Sequence, residues 1–235
     1  MTKYYQKYLK YKTKYLKLKF QKGGNDDYIS ELQKLYPECI HDKTILKDAE
    51  KYSKSGYATT YGEMDYQAIE KYNKLFNSDN KIDYFIDFGS GRGKLPLYMA
   101  DTVNKKSIGI ELVTERHDDA IKIKKTLSES YPDITNKVEL INDDMFKYLE
   151  KINKDTFETP VLIWISNLCF GDEITEKLFS ELIKKMPSNS IIGSSKIPSK
   201  IPDGIDAVKL ESDSNLISVP MSWSKTSNIH IYKIK

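Results

Sequence analysis

The stretch "IDFGSGRGKLPLYMA", residues 86–100, runs from an apolar strand through a glycine-rich loop into a helical pattern. Several unrelated ligand sites are built this way, and spacing separates them. A phosphate-cradling loop, G-x-x-x-x-G-K-[ST], needs a hydroxyl after its lysine to hold magnesium; here Lys94 is followed by Leu95. A dinucleotide loop, G-x-G-x-x-G, needs its third glycine where helix and strand pack closely. Gly89, Gly91 and Gly93 instead run G-x-G-x-G. That tighter loop suits a ligand whose amino-acid tail lies against the backbone, as in S-adenosylmethionine. A plain strand-to-helix turn would use glycines equally well.

Downstream, short apolar runs alternate with amphipathic stretches. Strands are predicted at "YFIDFG", "SIGIE", "KVELIN", "VLIWIS" and "SIIGSS", with helices near 94–103, 114–129, 145–151 and 172–186. Alternating strands and helices imply a doubly wound α/β fold that binds ligands at the carboxyl ends of its strands. Two later runs, "DAVKLES" and "NIHIYKIK", lie too close together for a crossover helix, so they are expected to pair antiparallel at one edge. The expectation is a Rossmann-like class I methyltransferase sheet of seven strands with an antiparallel last strand.

Acidic residues recur at the expected strand ends. Asp87 closes the first strand beside the loop, where it can anchor the ligand's amino group. Glu111 closes the second, where a carboxylate can accept from ribose hydroxyls, although an NAD site places an acid there too. Asp144, in "INDDMF", follows the third strand and can accept from the adenine amine, with Met145 or Phe146 against the ring. After the fourth strand, "LIWISNLCFG" places Ser166, Asn167 and Phe170 where an acceptor would stand. The Asn/Asp-Pro-Pro-aromatic signature expected of a nucleic-acid adenine methyltransferase does not occur there.

The chain has 235 residues, 39% of them hydrophobic, enough for one good core with an appendage. No apolar run approaches the ~20 residues that span a bilayer, and the basic start lacks the apolar centre of a signal peptide. An intracellular protein, neither secreted nor membrane-bound, is expected. Cys39 and Cys169 are too few for a disulfide framework, and Cys39 with His41 is at most half a metal site, so no metal is expected. Net charge is only +3, but the opening "MTKYYQKYLKYKTKYLKLKFQKGG" carries no acid. Residues 1–24 read as a basic arm in which Lys3, Lys7, Lys10, Lys12, Lys14, Lys17 and Lys19 flank a tyrosine stripe at helical spacing. Such an arm suits DNA phosphates; a solvated leader and a membrane-surface helix are the alternatives. Residues 25–80 read as a helical N-terminal cap, and 81–235 as the catalytic domain.

"TYGE" (60–63), "DFGSGRGK" (87–94), "IGIE" (108–111), "SNLCFG" (166–171), "IIGSSK" (191–196) and "MSWS" (221–224) occur in the order and approximate spacing of the disruptor-of-telomeric-silencing family. The chain resembles these non-SET histone methyltransferases over about residues 50–235. The resemblance implies transfer from S-adenosylmethionine to a lysine on the core face of histone H3 in nucleosomes. It also implies that Tyr61 and Glu63 cover the cofactor's methionine end. Asp87, Gly89 and Gly91 would hold its amino-acid part, Glu111 the ribose and Asp144 the adenine. The family's paired asparagines fall on Ser166 and Asn167, Phe170 lines the lysine channel, and Trp223 lies near it. Three positions depart from the pattern: Lys94 stands for a glutamine, Ser166 for the first asparagine, and His230 for a channel tyrosine. The leader also resembles lysine- and tyrosine-rich openings of proteins from large DNA viruses.

The expected chemistry is in-line methyl transfer to a neutral lysine amine, in a channel of Phe170, Trp223 and His230 that disfavours the ammonium. The expected partner is the nucleosome, through H3 and DNA, with a monomeric protein acting in the nucleus or where a viral genome replicates. RNA, a non-histone protein or a small molecule is the alternative acceptor. A non-catalytic chromatin- or nucleic-acid-binding module is the alternative class, and a dehydrogenase a more distant one.

Overall fold

The structure, a computed structural model, describes residues 26–37, 41–42, 61–77, 83–209 and 215–235. The basic arm and its lysines lie outside the described residues. Helix α1 spans Asp26–Leu35, β1 His41–Asp42, β2 Tyr61–Gly62 and α2 Tyr66–Asn77. The alternation that follows comprises β3 Tyr84–Phe88, α3 Lys94–Met99, β4 Lys106–Glu111, α4 Thr114–Ser128, α5 Pro132–Thr135, β5 Val138–Asn142 and α6 Met145–Glu150. It continues through β6 Val161–Ile165, α7 Asp172–Lys185 and β7 Ile191–Ser194 to β8 Ile205–Ala207, β9 Leu216–Met221 and β10 Ser224–Ile234.

Strand order is β5-β4-β3-β6-β7-β10-β8, with β9 also paired to β10. Strands β3 to β7 run parallel, and β10 is antiparallel to β7, β8 and β9. Order reverses between β3 and β6, and the carboxyl end of that junction is where doubly wound sheets bind ligands. This is the expected doubly wound sheet with its antiparallel edge, but with eight strands rather than seven. The addition is β9, "LISVPM". Pro220 argues against a strand on sequence grounds, because proline cannot donate to a ladder. An edge strand tolerates it, and among the described residues β9 pairs only with β10 and, through one bridge, Met64.

Apolar residues alternate along the strands and build two cores. On one face Phe85, Leu162 and Trp164 pack with Ile229, Ile231 and residues of α1, α2 and α3. On the other, Ile86, Phe88, Ile163 and Ile165 pack with residues of α6 and α7. The N-terminal helices thus share a core with the sheet. Tyrosines fix them there: the Tyr28 hydroxyl donates to the Leu97 carbonyl at 2.8 Å, and Tyr72 to the Ile163 carbonyl at 2.9 Å. Helix α3 is buried along its whole length, and Pro96 sits in its first turn, where backbone N–H groups lack intrahelical partners anyway.

Candidate active site

The same alternation that fills the cores aims the site. With Phe85 on the cap face, Asp87 two residues later faces the cap as well; on β6 and just beyond, Trp164 and Ser166 share that side. A cavity opens there, lined by Tyr61, Glu63, Asp87, Gly89, Ser166 and Trp223, among others. Seven residues selected from sequence motifs thus meet, these six and Lys94, brought in from β2, β3, the glycine loop, the start of α3, the end of β6 and the β9–β10 turn.

Two motifs 159 residues apart form one wall. The Glu63 N–H donates to Ser222 Oγ at 2.8 Å, and the Ser222 N–H donates to the Glu63 carbonyl at 2.9 Å. Met64 and Met221 form an antiparallel bridge beside them. Gly62 permits this approach: a Cβ there would stand 2.4 Å from Cε3 of Trp223, inside any real contact. The "TYGE" segment is therefore held by the tip of the "MSWS" hairpin. On the other side Tyr61 covers the glycine loop, where Gly91 has φ +54°, a left-handed conformation, and an added Cβ would lie 2.2 Å from the tyrosine ring.

Among the described residues, the charged side chains that are buried number five, and all gather here: Glu63, Asp87, Lys94, Glu111 and Arg116. Glu63 accepts from the Tyr61 hydroxyl at 2.5 Å and from Lys94 Nζ at 3.3 Å. Lys94 Nζ also stands 4.4 Å from the Tyr66 ring centroid, and the Arg116 guanidinium 4.9 Å from that of Tyr61. Burial pushes the Tyr61 hydroxyl well above its ordinary pKa, reinforced by Glu63. The departure at Lys94 is thus accommodated by a buried ion pair. Glu111 accepts from the Gly91 N–H at 2.7 Å and the Val113 N–H at 2.8 Å. Burial raises its pKa, opposed by these N–H donors and by Arg116. Each Glu111 oxygen has a second lone pair, so holding the loop does not preclude accepting from hydroxyls.

Asp87 differs from the rest. It is 3% exposed, and its Oδ1 has no hydrogen-bond partner among the described residues. Burial, followed by repulsion from Glu111, holds its carboxyl well above the usual carboxylate range. An orphaned buried acceptor facing a cavity is costly unless a donor arrives. With Asp87 protonated, Glu63 and Glu111 balance Lys94 and Arg116; ionising Asp87 would add one negative charge, which a cationic ligand would offset. The residues therefore fit a ligand with an ammonium group and a net positive charge.

Other expected residues lie elsewhere. Asp144 caps α6, accepting from the Phe146 N–H at 2.7 Å and the Lys147 N–H at 3.3 Å. Met145 is buried in the far core, while Phe146 is only partly buried, with Lys177 Nζ 4.2 Å from its ring centroid. Asn167, expected to reach the acceptor, is fully buried; its Oδ1 accepts from Ser194 Oγ and the Lys196 N–H, and its Nδ2 donates to the Lys196 carbonyl. Phe170 packs against the α7-side core and Trp223 against the cap-side core, so these two expected channel residues sit on opposite faces. His230 lies on β10 opposite Ser194, alternating with Ile229 and Ile231 and therefore facing the α7 side. Burial lowers its pKa. Sequence reasoning passed over Arg116, whose only signal was a cation five residues after Glu111, and Ser222, whose role needs the hairpin.

The family model for Histone methylation protein DOT1 matches residues 36–228. No curated protein sequence matches the chain. Among solved structures, an O-methyltransferase from Bacillus cereus in complex with S-adenosylhomocysteine aligns with TM-score 0.57 and 10% identity over 88% of this chain and 91% of that one. A putative methyltransferase from Escherichia coli aligns with TM-score 0.53 and 14% identity over 73% and 87%. A putative O-methyltransferase from Klebsiella pneumoniae aligns with TM-score 0.52 and 9% identity over 89% of each. At such identities the likeness is one of fold.

Proposed function

Since the chain belongs to the Histone methylation protein DOT1 family, we propose that it is an S-adenosylmethionine-dependent lysine methyltransferase acting on the core face of histone H3 in nucleosomes. The observation that carries the cofactor is Asp87: a buried carboxyl with an orphaned oxygen, beside a glycine loop, lining a cavity in which an arriving ammonium would let it ionise. The cofactor carries an ammonium and a sulfonium against one carboxylate, and supplies an electrophilic methyl group when bound. Asp87 accepts from the ammonium and Glu111 from the ribose hydroxyls. Tyr61 and Glu63 cover the methionine end, and Asp144, Met145 and Phe146 belong to the adenine side.

Ser166 and Trp223 mark the acceptor side of the same cavity, together with Trp164. Exclusion of water from a narrow channel disfavours a lysine ammonium and so favours the neutral amine that must attack. Alignment, rather than a strong base, then supplies most of the rate. Asn167 and Phe170 belong to the loop that carries Ser166, and His230 lies on β10 opposite Ser194. The basic arm docks on nucleosomal DNA, which places the protein where chromatin is, in the nucleus.

The deciding assay supplies labelled cofactor with reconstituted nucleosomes, free histones and RNA, followed by mass spectrometry of the histones. Label on an H3 core lysine of nucleosomes alone is expected, with none from the Gly91→Arg protein. Label on RNA or free histones only would move the acceptor. Methyl transfer by Gly91→Arg would overturn the site.

A further inference from the structure

Lys196 ends the "IIGSSK" motif, and neither the cavity nor the cofactor's contacts give it a role. Its backbone is bound at both polar atoms by one side chain: the Lys196 N–H donates to Asn167 Oδ1 at 2.9 Å, and its carbonyl accepts from Asn167 Nδ2 at 2.9 Å. Ser194 Oγ donates to the same Oδ1 at 2.9 Å. The ammonium folds back over the loop, donating to the Phe170 carbonyl at 3.0 Å and pairing with Asp172 Oδ1 at 2.6 Å. One lysine therefore fastens residues 167, 170 and 172, the frame of the loop between β6 and α7. Ser166, at the start of that loop, lines the cavity, and Leu168 and Cys169, within it, face solvent.

We propose that Lys196 is the positioning residue of the acceptor side: it locks the β6–α7 loop to the end of β7, holding Ser166 and the loop rim at a fixed distance from the cofactor site. This rests on the methyltransferase reading above. The clamp matters through geometry rather than ion-pair strength. Lys196 is 31% and Asp172 62% exposed, and pairs that open to water add little stability. A misplacement of about 1 Å between reacting groups, by contrast, can cost roughly 100-fold in rate. The Asn167 amide cannot do the work alone, because it grips only the root of the loop, whereas the ammonium reaches its far end.

The test uses the full chain with Lys196→Met, Lys196→Arg and the exposed-site variant Asp172→Asn. Three quantities are read: S-adenosylhomocysteine affinity, kcat and KM for nucleosome methylation, and amide hydrogen exchange across residues 166–172. Lys196→Met is expected to bind S-adenosylhomocysteine like wild type, to lose roughly 10- to 100-fold in kcat/KM for the acceptor, and to exchange faster in that segment alone. Lys196→Arg should recover most of the loss, and Asp172→Asn should show a smaller version of it. The proposal is overturned if Lys196→Met leaves kinetics and exchange unchanged, or if cofactor affinity falls in step with the rate. If the wild-type protein binds S-adenosylhomocysteine but methylates nothing, the functional reading falls, whereas faster exchange in Lys196→Met would still uphold the clamp.

Discussion

In its proposed role Asp87 trades stability for binding. Its folded-state pKa is raised above the unfolded value, so the fold favours the protonated form. Stability linked to this group is fully present below the ordinary carboxylate range and is lost as pH rises through the raised value. Without ligand, Asp87→Asn is therefore expected to melt higher than wild type near pH 8, with the advantage shrinking as pH falls towards about 4, where the unfolded chain's carboxylate also protonates, and constant below it. The same variant should lose the thermal shift that S-adenosylhomocysteine gives wild type. A variant that melts lower at pH 8, or keeps its ligand shift, would remove Asp87 from the ammonium's role. Gly91 is the companion case. Gly91→Ala forces a side chain into left-handed backbone, at about 1–3 kcal/mol, and drives its Cβ into the Tyr61 ring. Calorimetry should find S-adenosylhomocysteine affinity at least about 10-fold weaker, through displacement of Tyr61 and of the N–H that Glu111 accepts.

At the scale of elements, the site depends on a hairpin that the sequence did not reveal. Strands β9 and β10 turn at Ser222–Trp223, and that tip carries the "TYGE" segment. Overpacking at this joint should cost about 1–3 kcal/mol. Gly62→Ala is accordingly expected to destabilise the wild-type background in denaturant unfolding, because its Cβ would meet the Trp223 ring. In a Trp223→Ala background the same change should cost little, a non-additivity that a double-mutant cycle measures directly. Equal costs in both backgrounds would mean that the ring does not rest on Gly62. The glycine spacing and strand-end acids were legible because they are local, set by the turn each strand must make. The hairpin was not, because Pro220 masks an edge strand and the bonds between Glu63 and Ser222 leave no periodic trace.

For the whole molecule, the proposed function divides substrate engagement between a chemical centre and an electrostatic arm. Each lysine that meets a DNA phosphate releases counterions, lowering the salt slope of log affinity by roughly 0.9. Deleting residues 1–22 is therefore expected to flatten the salt dependence of nucleosome binding by roughly one unit per lysine engaged, while S-adenosylhomocysteine affinity stays the same. An unchanged slope would return the arm to a solvated leader. The catalytic centre is coupled to the N-terminal helices differently, since α1, α2 and the sheet share one core. Loosening that core should open the cofactor wall and the cap together.

The sequence by itself determined the parallel α/β sheet, the glycine loop, the acids at successive strand ends and the resemblance that led to the family. These are consequences of chain-local rules: strand alternation, turn geometry and motif spacing. Only the tertiary structure decided which of those residues share a cavity. It brought Tyr61, Glu63, Asp87, Ser166 and Trp223 together along one cavity and left Asn167, Phe170 and His230 outside that lining. It also paired Lys94 with Glu63. The physical reason is that a side chain's face follows from the alternation of its own strand, whereas its partners follow from which strands and hairpin tips the fold packs beside it.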